Sequence, residues 1–211
     1  MEFVITTYCS IKNNSVYLNG EKLFSANSDS LSSFLKEAYQ FSEINYPKFH
    51  KMDNLSKLGL LASEFCFKNS DFLKTNNLEE TAIILSNNSS SLDTDRIHQN
   101  SINDKEHYLP SPAIFVYTLP NIVIGEIAIK HKITGENAFL ISDKFDAQTL
   151  VNYTQQLLKT NMAVAAVSGW VNCDGSDYEA FIYLVEIQKD SIKNVNFKPL
   201  NQTIVNQLYQ N

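Results

Sequence analysis

The stretch from Leu109 to Asn137 constrains the fold more than any other part of this chain. It reads as a loop, then an apolar helix opening near Pro120-Asn121, then a turn at Gly135 into a strand. The helix cannot be a bilayer span. Its apolar run, Ile122 to Ile129, is interrupted by Glu126 and followed by Lys130-His131-Lys132, which is too short and too charged.

The rest of the chain repeats the alternation of strand and helix. Phe3 to Tyr8 is β-branched and aromatic and predicts a strand, and Val16 to Phe24 around Asn19-Gly20 predicts a short hairpin. Leu31, Phe34, Leu35 and Ala38 have helical spacing after the capping candidates Ser28, Asp29 and Ser30. Asp53 caps a stronger helix lined by Leu55, Leu58, Leu61, Ala62, Phe65 and Cys66. Thr81 to Leu85 predicts a buried strand, Ser86 to Ser91 a polar loop, Leu92 to Asn100 a short helix and Asp104 to Pro112 a loop. Ala138 to Ser142 predicts a strand, and Asp146 to Thr160 an amphipathic helix turning Leu150, Tyr153, Leu157 and Leu158 inward. Met162 to Val171 and Ala180 to Ile187 predict strands paired across the polar turn Asp174 to Asp177, and the tail after Asp190 predicts a helix from Gln202 to Tyr209. Several of these strands are apolar throughout, so they belong to a sheet covered by helices on both faces, an α/β layered fold. There is no repeat or linker, and 211 residues with 44% hydrophobic content can bury one core, so residues 1–211 are expected to form a single domain.

Charge and chemistry-bearing residues exclude more than they suggest. The formal net charge is −6 without a Lys/Arg cluster, so no nucleic acid partner is expected. Met1-Glu2-Phe3-Val4 has no basic leader, so no signal peptide is read and the expected location is cytoplasmic. Cys9, Cys66 and Cys173 are far apart, which argues against disulfides and a zinc knuckle, and each reads as a core thiol. His50, His98, His107 and His131 show no i, i+4 pairing, so neither a metal nor any other cofactor is expected. His98 with Asp93 and Asp95 could gather near a helix start, and His131 sits where a cation complements a helix dipole. The Ser86–Ser91 loop could cradle an anion, but it lacks glycines and a GK[ST] signature. Ser168-Gly169-Trp170 is not a GxSxG elbow.

Taken in order, several segments resemble the N-terminal half of β-ketoacyl synthases, in the thiolase-like fold. Pro47-Lys48-Phe49-His50-Lys51-Met52-Asp53 and the helix after it are similar to the family's proline-basic-Met-Asp run. Ala82 to Ser91 resembles a strand and a loop that are Gly-rich in active synthases. Ser111-Pro112 with Phe115, then Leu119-Pro120-Asn121, Gly125 and Gly135, resemble the family's serine-proline, "PN" and glycine positions. The resemblance implies a thiolase-like half-fold, a mixed sheet covered by helices.

The departures from the family carry the functional expectation. In active synthases the strand after the Gly135-like glycine leads to a Cys at a helix N-terminus, which the helix dipole activates. Here the corresponding stretch is Asp143-Lys144-Phe145-Asp146, with no cysteine near it. The family's second half, which supplies the catalytic histidines, has no counterpart in these residues. The chain thus resembles a short, non-catalytic group similar to chain-length factors of type II fatty acid, polyketide and aryl-polyene-type pigment pathways. That resemblance implies a ketosynthase partner or a self-dimer, possible acyl carrier protein contact, and pairing through Ala138, Phe139, Leu140, Ile141 and Ser142. The alternative is an acyl-thioester hydrolase or acyl-binding protein on the same half-fold, using Ser142 or Ser168 with Asp143 and a distant histidine.

Overall fold

A computed structural model describes residues 2–104, 106, 108–188 and 197–211. Met1, His107 and Asp190, named above, lie outside the described residues.

The chain opens with a meander: β1 (Phe3–Lys12), β2 (Ser15–Leu18) and β3 (Glu21–Ser25). Two tight turns join them. Asn13 and Asn14 both have positive φ, as do Asn19 and Gly20, which is the backbone of hairpin turns whose twist matches the strands. The Asn19-Gly20 hairpin is the predicted one. The Asn13-Asn14 turn escaped the sequence reading because Asn-Asn is a weaker signal than Asn-Gly.

Helices α1 (Leu31–Ser42) and α2 (Asn54–Lys68) follow, separated by a 3-10 turn at Pro47–Lys51. Both start on the expected caps: Ser30 accepts from the Ser33 N–H and Asp53 from the Ser56 N–H. After the short α3 (Phe72–Thr75) come β4 (Thr81–Asn87), α4 (Leu92–Ile102), α5 (Pro112–Val116), α6 (Ile122–His131) and β5 (Asn137–Ile141). Then α7 (Ala147–Lys159) leads to the hairpin β6 (Ala165–Asp174) and β7 (Asp177–Ile187), and the short β8 (Lys198–Pro199) precedes α8 (Gln202–Gln210). Two short helices correct the sequence reading. The sequence pattern predicts no helix between α2 and β4 and a loop where α5 lies; each helix is about one turn long, too short to show an apolar period.

The strands form one mixed sheet in the order β3-β2-β1-β7-β6-β4-β5, with β8 beside β1. β4 is parallel to both β5 and β6; the other pairs are antiparallel. Helices cover both faces, as the apolar strands predicted. On one face α1, α2 and α6 pack over Cys9, Ile11, Ile83, Leu85, Val167 and Ile182. On the other, α7 and α8 pack over Phe3, Ile5, Ala82, Ile84, Phe181 and Tyr183.

A β-bulge explains how β1 serves both faces. Its register slips between Ile5 and Thr7. One extra residue reverses the alternation, so Phe3 and Ile5 face α7 and α8 while Cys9 and Ile11 face α2. Helix α2 is buried nearly all round, and at Gly59 an added Cβ would lie 2.4 Å from Val123 Cγ2, so that glycine lets α6 lie close against it.

Candidate functional site

Two neighbouring features carry the functional question: the outer edge of β5 and the loop from its end to α7.

The path into β5 is fixed sterically. At Gly135 an added Cβ would lie 2.4 Å from the Thr81 carbonyl oxygen, so only glycine lets the chain pass the start of β4. Ile83 N–H then donates to Glu136 O and Ser142 N–H to Asn87 O, both at 2.9 Å. Residues 136, 138, 140 and 142 therefore point their backbone groups at β4, and Asn137, Phe139 and Ile141 point theirs outward. β5 ends the strand order, so those outward groups lie on a sheet edge. The strand Asn-Ala-Phe-Leu-Ile carries no charge, and Ile141 is 55% exposed.

Upstream, Ser111 caps α5 by accepting from the Ile114 N–H, and Pro112 occupies its first turn. Pro120 lies in the turn before α6, and Asn121 is the residue before that helix, making no side-chain cap. The Ser-Pro and Pro-Asn positions thus mark the starts of two helices. Gly125 differs from Gly135: its added Cβ would meet nothing within 4 Å, so nothing among the described residues requires glycine there. The same segment exposes Tyr108, Leu109, Phe115, Val116 and Leu119, and α6 exposes Ile129. Ser91 Oγ, 2.6 Å from Thr118 O, ties the α5–α6 connection back to the start of α4.

Helix α6 is anchored from below by buried carboxylates that sequence reading missed. Glu64, on α2, pairs with Lys130 and His131. Burial pushes the Glu64 carboxyl up, but the hydrogen bonds and charges of His131 and Lys130 outweigh it and hold it below the ordinary range. Glu126 takes an ion pair from Lys48 at 2.8 Å and a hydrogen bond from the Tyr117 hydroxyl at 2.9 Å. Dipole complementarity was therefore an incomplete account of His131. The signal present in the sequence was Glu64 on an otherwise apolar helix face.

Past β5, Asp143 and Lys144 are exposed in a bend, and Ser142 Oγ donates to the Lys144 carbonyl at 3.1 Å. Phe145 turns inward. It stacks on Tyr209 with centroids 4.0 Å apart and meets Trp170 and Phe181 edge-on at 6.1 and 5.8 Å. Asp146 then caps α7, accepting from the N–H groups of Gln148 and Thr149. Its hydrogen bonds from Thr149 hold its carboxyl below the usual range. The N-terminal end of α7 is thus occupied by a carboxylate and screened by an aromatic ring.

The other candidates are used structurally. Ser86 and Asn87 of the predicted loop belong to β4, and the remainder spends its donors inside the fold: Ser90 N–H donates to Asn87 Oδ1, and Ser89 N–H to Asn172 Oδ1 on β6. Asp93 lies near the Gly175 N–H, Asp95 near Ser91, and His98 against Phe115, so they form no cluster. Ser168 is fully buried between Thr154 and Tyr183. His50 packs on Tyr39 and Phe49, and His131 on Glu64 and Phe67, so the described histidines serve neither Ser142 nor Ser168. Burial raises all three thiols, the reverse of what a nucleophile requires. Among the described residues no helix is long and apolar enough to cross a membrane.

This arrangement has close counterparts among solved structures, and they define the fold as the thiolase-like α/β fold of ketosynthases and chain-length factors. The ishigamide ketosynthase/chain length factor aligns at a TM-score of 0.68 and 15% identity, over 90% of this chain and 63% of that one. The ketosynthase ApeO in complex with its chain length factor ApeC, from Xenorhabdus doucetiae, aligns at 0.59 and 10%, over 90% and 81%. The AntDE:AntF complex, a type II acyl-carrier protein with its ketosynthase bound to the hexaketide, aligns at 0.65 and 11%, over 89% and 62%. The chain thus spans less than two thirds of the first and third of these. No protein-family model matches the sequence, and no curated protein matches it either.

Proposed function

We propose that this chain is a non-catalytic, chain-length-factor-like subunit that pairs with an active ketosynthase through the free edge of β5. The observation that carries the reading is that edge: an uncharged strand offering the backbone groups of Asn137, Phe139 and Ile141 outward. Strand addition there would continue the sheet into a partner. The half-exposed Phe115, Val116, Leu119 and Ile141 would add roughly 1 kcal/mol each if fully buried against it, about half the value for a fully exposed side chain. The ApeO–ApeC comparison supports the reading: 90% of this chain matches 81% of its counterpart, so the matching chain is little longer than this one.

The non-catalytic part rests on Phe145 and Asp146, which fill the position where the resembling synthases carry a thiol. The expected setting is a cytoplasmic type II system for fatty acids, polyketides or aryl-polyene-type pigments, with an acyl carrier protein as a second, weaker contact. Residues 1–211 act in it as one domain. The hydrolase reading gains nothing from the placement of Ser142, Asp143 and Ser168.

Co-expression with a type II ketosynthase and an acyl carrier protein from the same source, followed by size-exclusion chromatography, tests the proposal. A stable heterodimer without thioesterase activity is expected. A monomer that hydrolyses acyl thioesters, and loses that activity in Ser142→Ala, would overturn it.

A further inference from the structure

The face of the sheet under α7 and α8 is closed by the chain itself. Helix α7 buries Ala147, Leu150, Val151, Thr154, Leu157 and Leu158, and exposes Gln148, Thr149, Asn152, Gln156 and Lys159. Helix α8 buries Val205 and Leu208 and exposes Gln202, Thr203, Gln207 and Gln210. Outer faces this polar belong to water and not to a further packed layer.

Helix α8 is fastened at both ends. At its start Leu200 N–H donates to Phe3 O at 2.9 Å, and Gln155 Nε2 donates to Leu200 O at 2.8 Å. At its end the Tyr209 ring lies on Phe145, and its hydroxyl donates to Glu179 Oε1 at 2.6 Å. The same oxygen accepts the Trp170 indole N–H at 2.8 Å. Val205 and Leu208 suffice to seat the helix on the core. Tyr209 reaches further, onto the residue directly before the Asp146 cap.

We propose that α8 is a latch that closes the N-terminal end of α7, with Tyr209 as its bolt: the ring stacked on Phe145 and the shared Glu179 bond keep Trp170 dry and shut small molecules out. This goes beyond pairing at β5 and stands or falls independently of it.

Trp170 is the chain's single tryptophan and is 2% exposed, so its fluorescence reads the latch. In the full chain, Trp170 emission is expected to be blue-shifted and weakly quenched by acrylamide. Tyr209→Ala should shift it to the red and raise the quenching constant roughly threefold through local opening, with circular dichroism unchanged. Tyr209→Phe keeps the stack and loses the Glu179 bond, so it should show a smaller rise. Hydrogen exchange should speed up in residues 202–211 of the Ala variant and stay slow in β4 and β6. Unchanged quenching in Tyr209→Ala overturns the latch. If that variant unfolds, Tyr209→Phe decides: quenching equal to the parent protein overturns it.

Discussion

The two edges of this sheet are built in opposite ways. β3 belongs to a local antiparallel meander with tight asparagine turns, a register slip beside Val16, and charged Glu21 and Lys22 on its short run. Its Phe24 is held by stacking on Phe34 and Phe41. Charges and irregular register are how edge strands avoid pairing with other chains. β5 has neither. It lies parallel to β4 in unbroken register, carries no charge, and is reached through a glycine that admits no side chain. Among the described residues one edge is defended and the other is left open, and that contrast is what the proposed pairing through β5 rests on.

The largest expected effect breaks that contrast at its source. Gly135→Ala forces a Cβ into the Thr81 carbonyl and should cost about 4 kcal/mol in urea denaturation, losing the β5 edge with it. Next is the anchor beneath α6. Glu64→Gln removes the carboxylate that pairs with Lys130 and bonds His131, and should cost about 3 kcal/mol at neutral pH. Because the folded Glu64 carboxyl titrates below its ordinary value, its contribution is complete above that value and is lost as pH falls through the lower folded one. The acid limb of the stability curve should therefore flatten in Glu64→Gln, and an unchanged limb would show that the pairing contributes nothing.

Ile141→Pro leaves the hydrogen bonds to β4 in place and removes one outward N–H. It should weaken ketosynthase binding roughly hundredfold, about 2.7 kcal/mol, by calorimetry. Gly125→Ala should raise the monomer's stability by about 0.8 kcal/mol through helix propensity. A loss of partner affinity in the same variant would place α6 in the contact. Leu23→Arg on β3 should change stability and binding by less than about 0.5 kcal/mol; a large loss of binding would reverse the assignment of the two edges.

Much of this contrast was legible in the sequence. The caps Ser30 and Asp53, the Asn19-Gly20 turn and the apolar strands identified the layers, because those signals are local. Gly135 could be flagged as a turn, but the contact that demands it is with Thr81, far away in the chain. The β1 bulge left no mark, since Phe3, Ile5, Cys9 and Ile11 keep one unbroken period of two although the bulge sends them to opposite faces. Glu64 and Glu126 stand out in sequence only as charges on apolar helices, and the partners that bury them, Lys130 and His131 for one and Lys48 and Tyr117 for the other, come from residues that no local pattern links to them. The closing of α7 depends on Tyr209, more than sixty positions beyond Phe145 in sequence, and no periodicity connects them.

The strand order has a consequence for how the chain reaches this state. The centre of the sheet joins β1 to β7, with Phe3 opposite Ile187. The meander and the β6–β7 hairpin close over short loops and can form early, but the pair that unites them spans nearly the whole chain. Loop closure over that distance is slow, and folding rates fall as contacts become less local. On the ribosome, β1 must wait for β7, while β5 is already synthesised with its outer edge unprotected. A chain of this design is most exposed to aggregation before its centre closes.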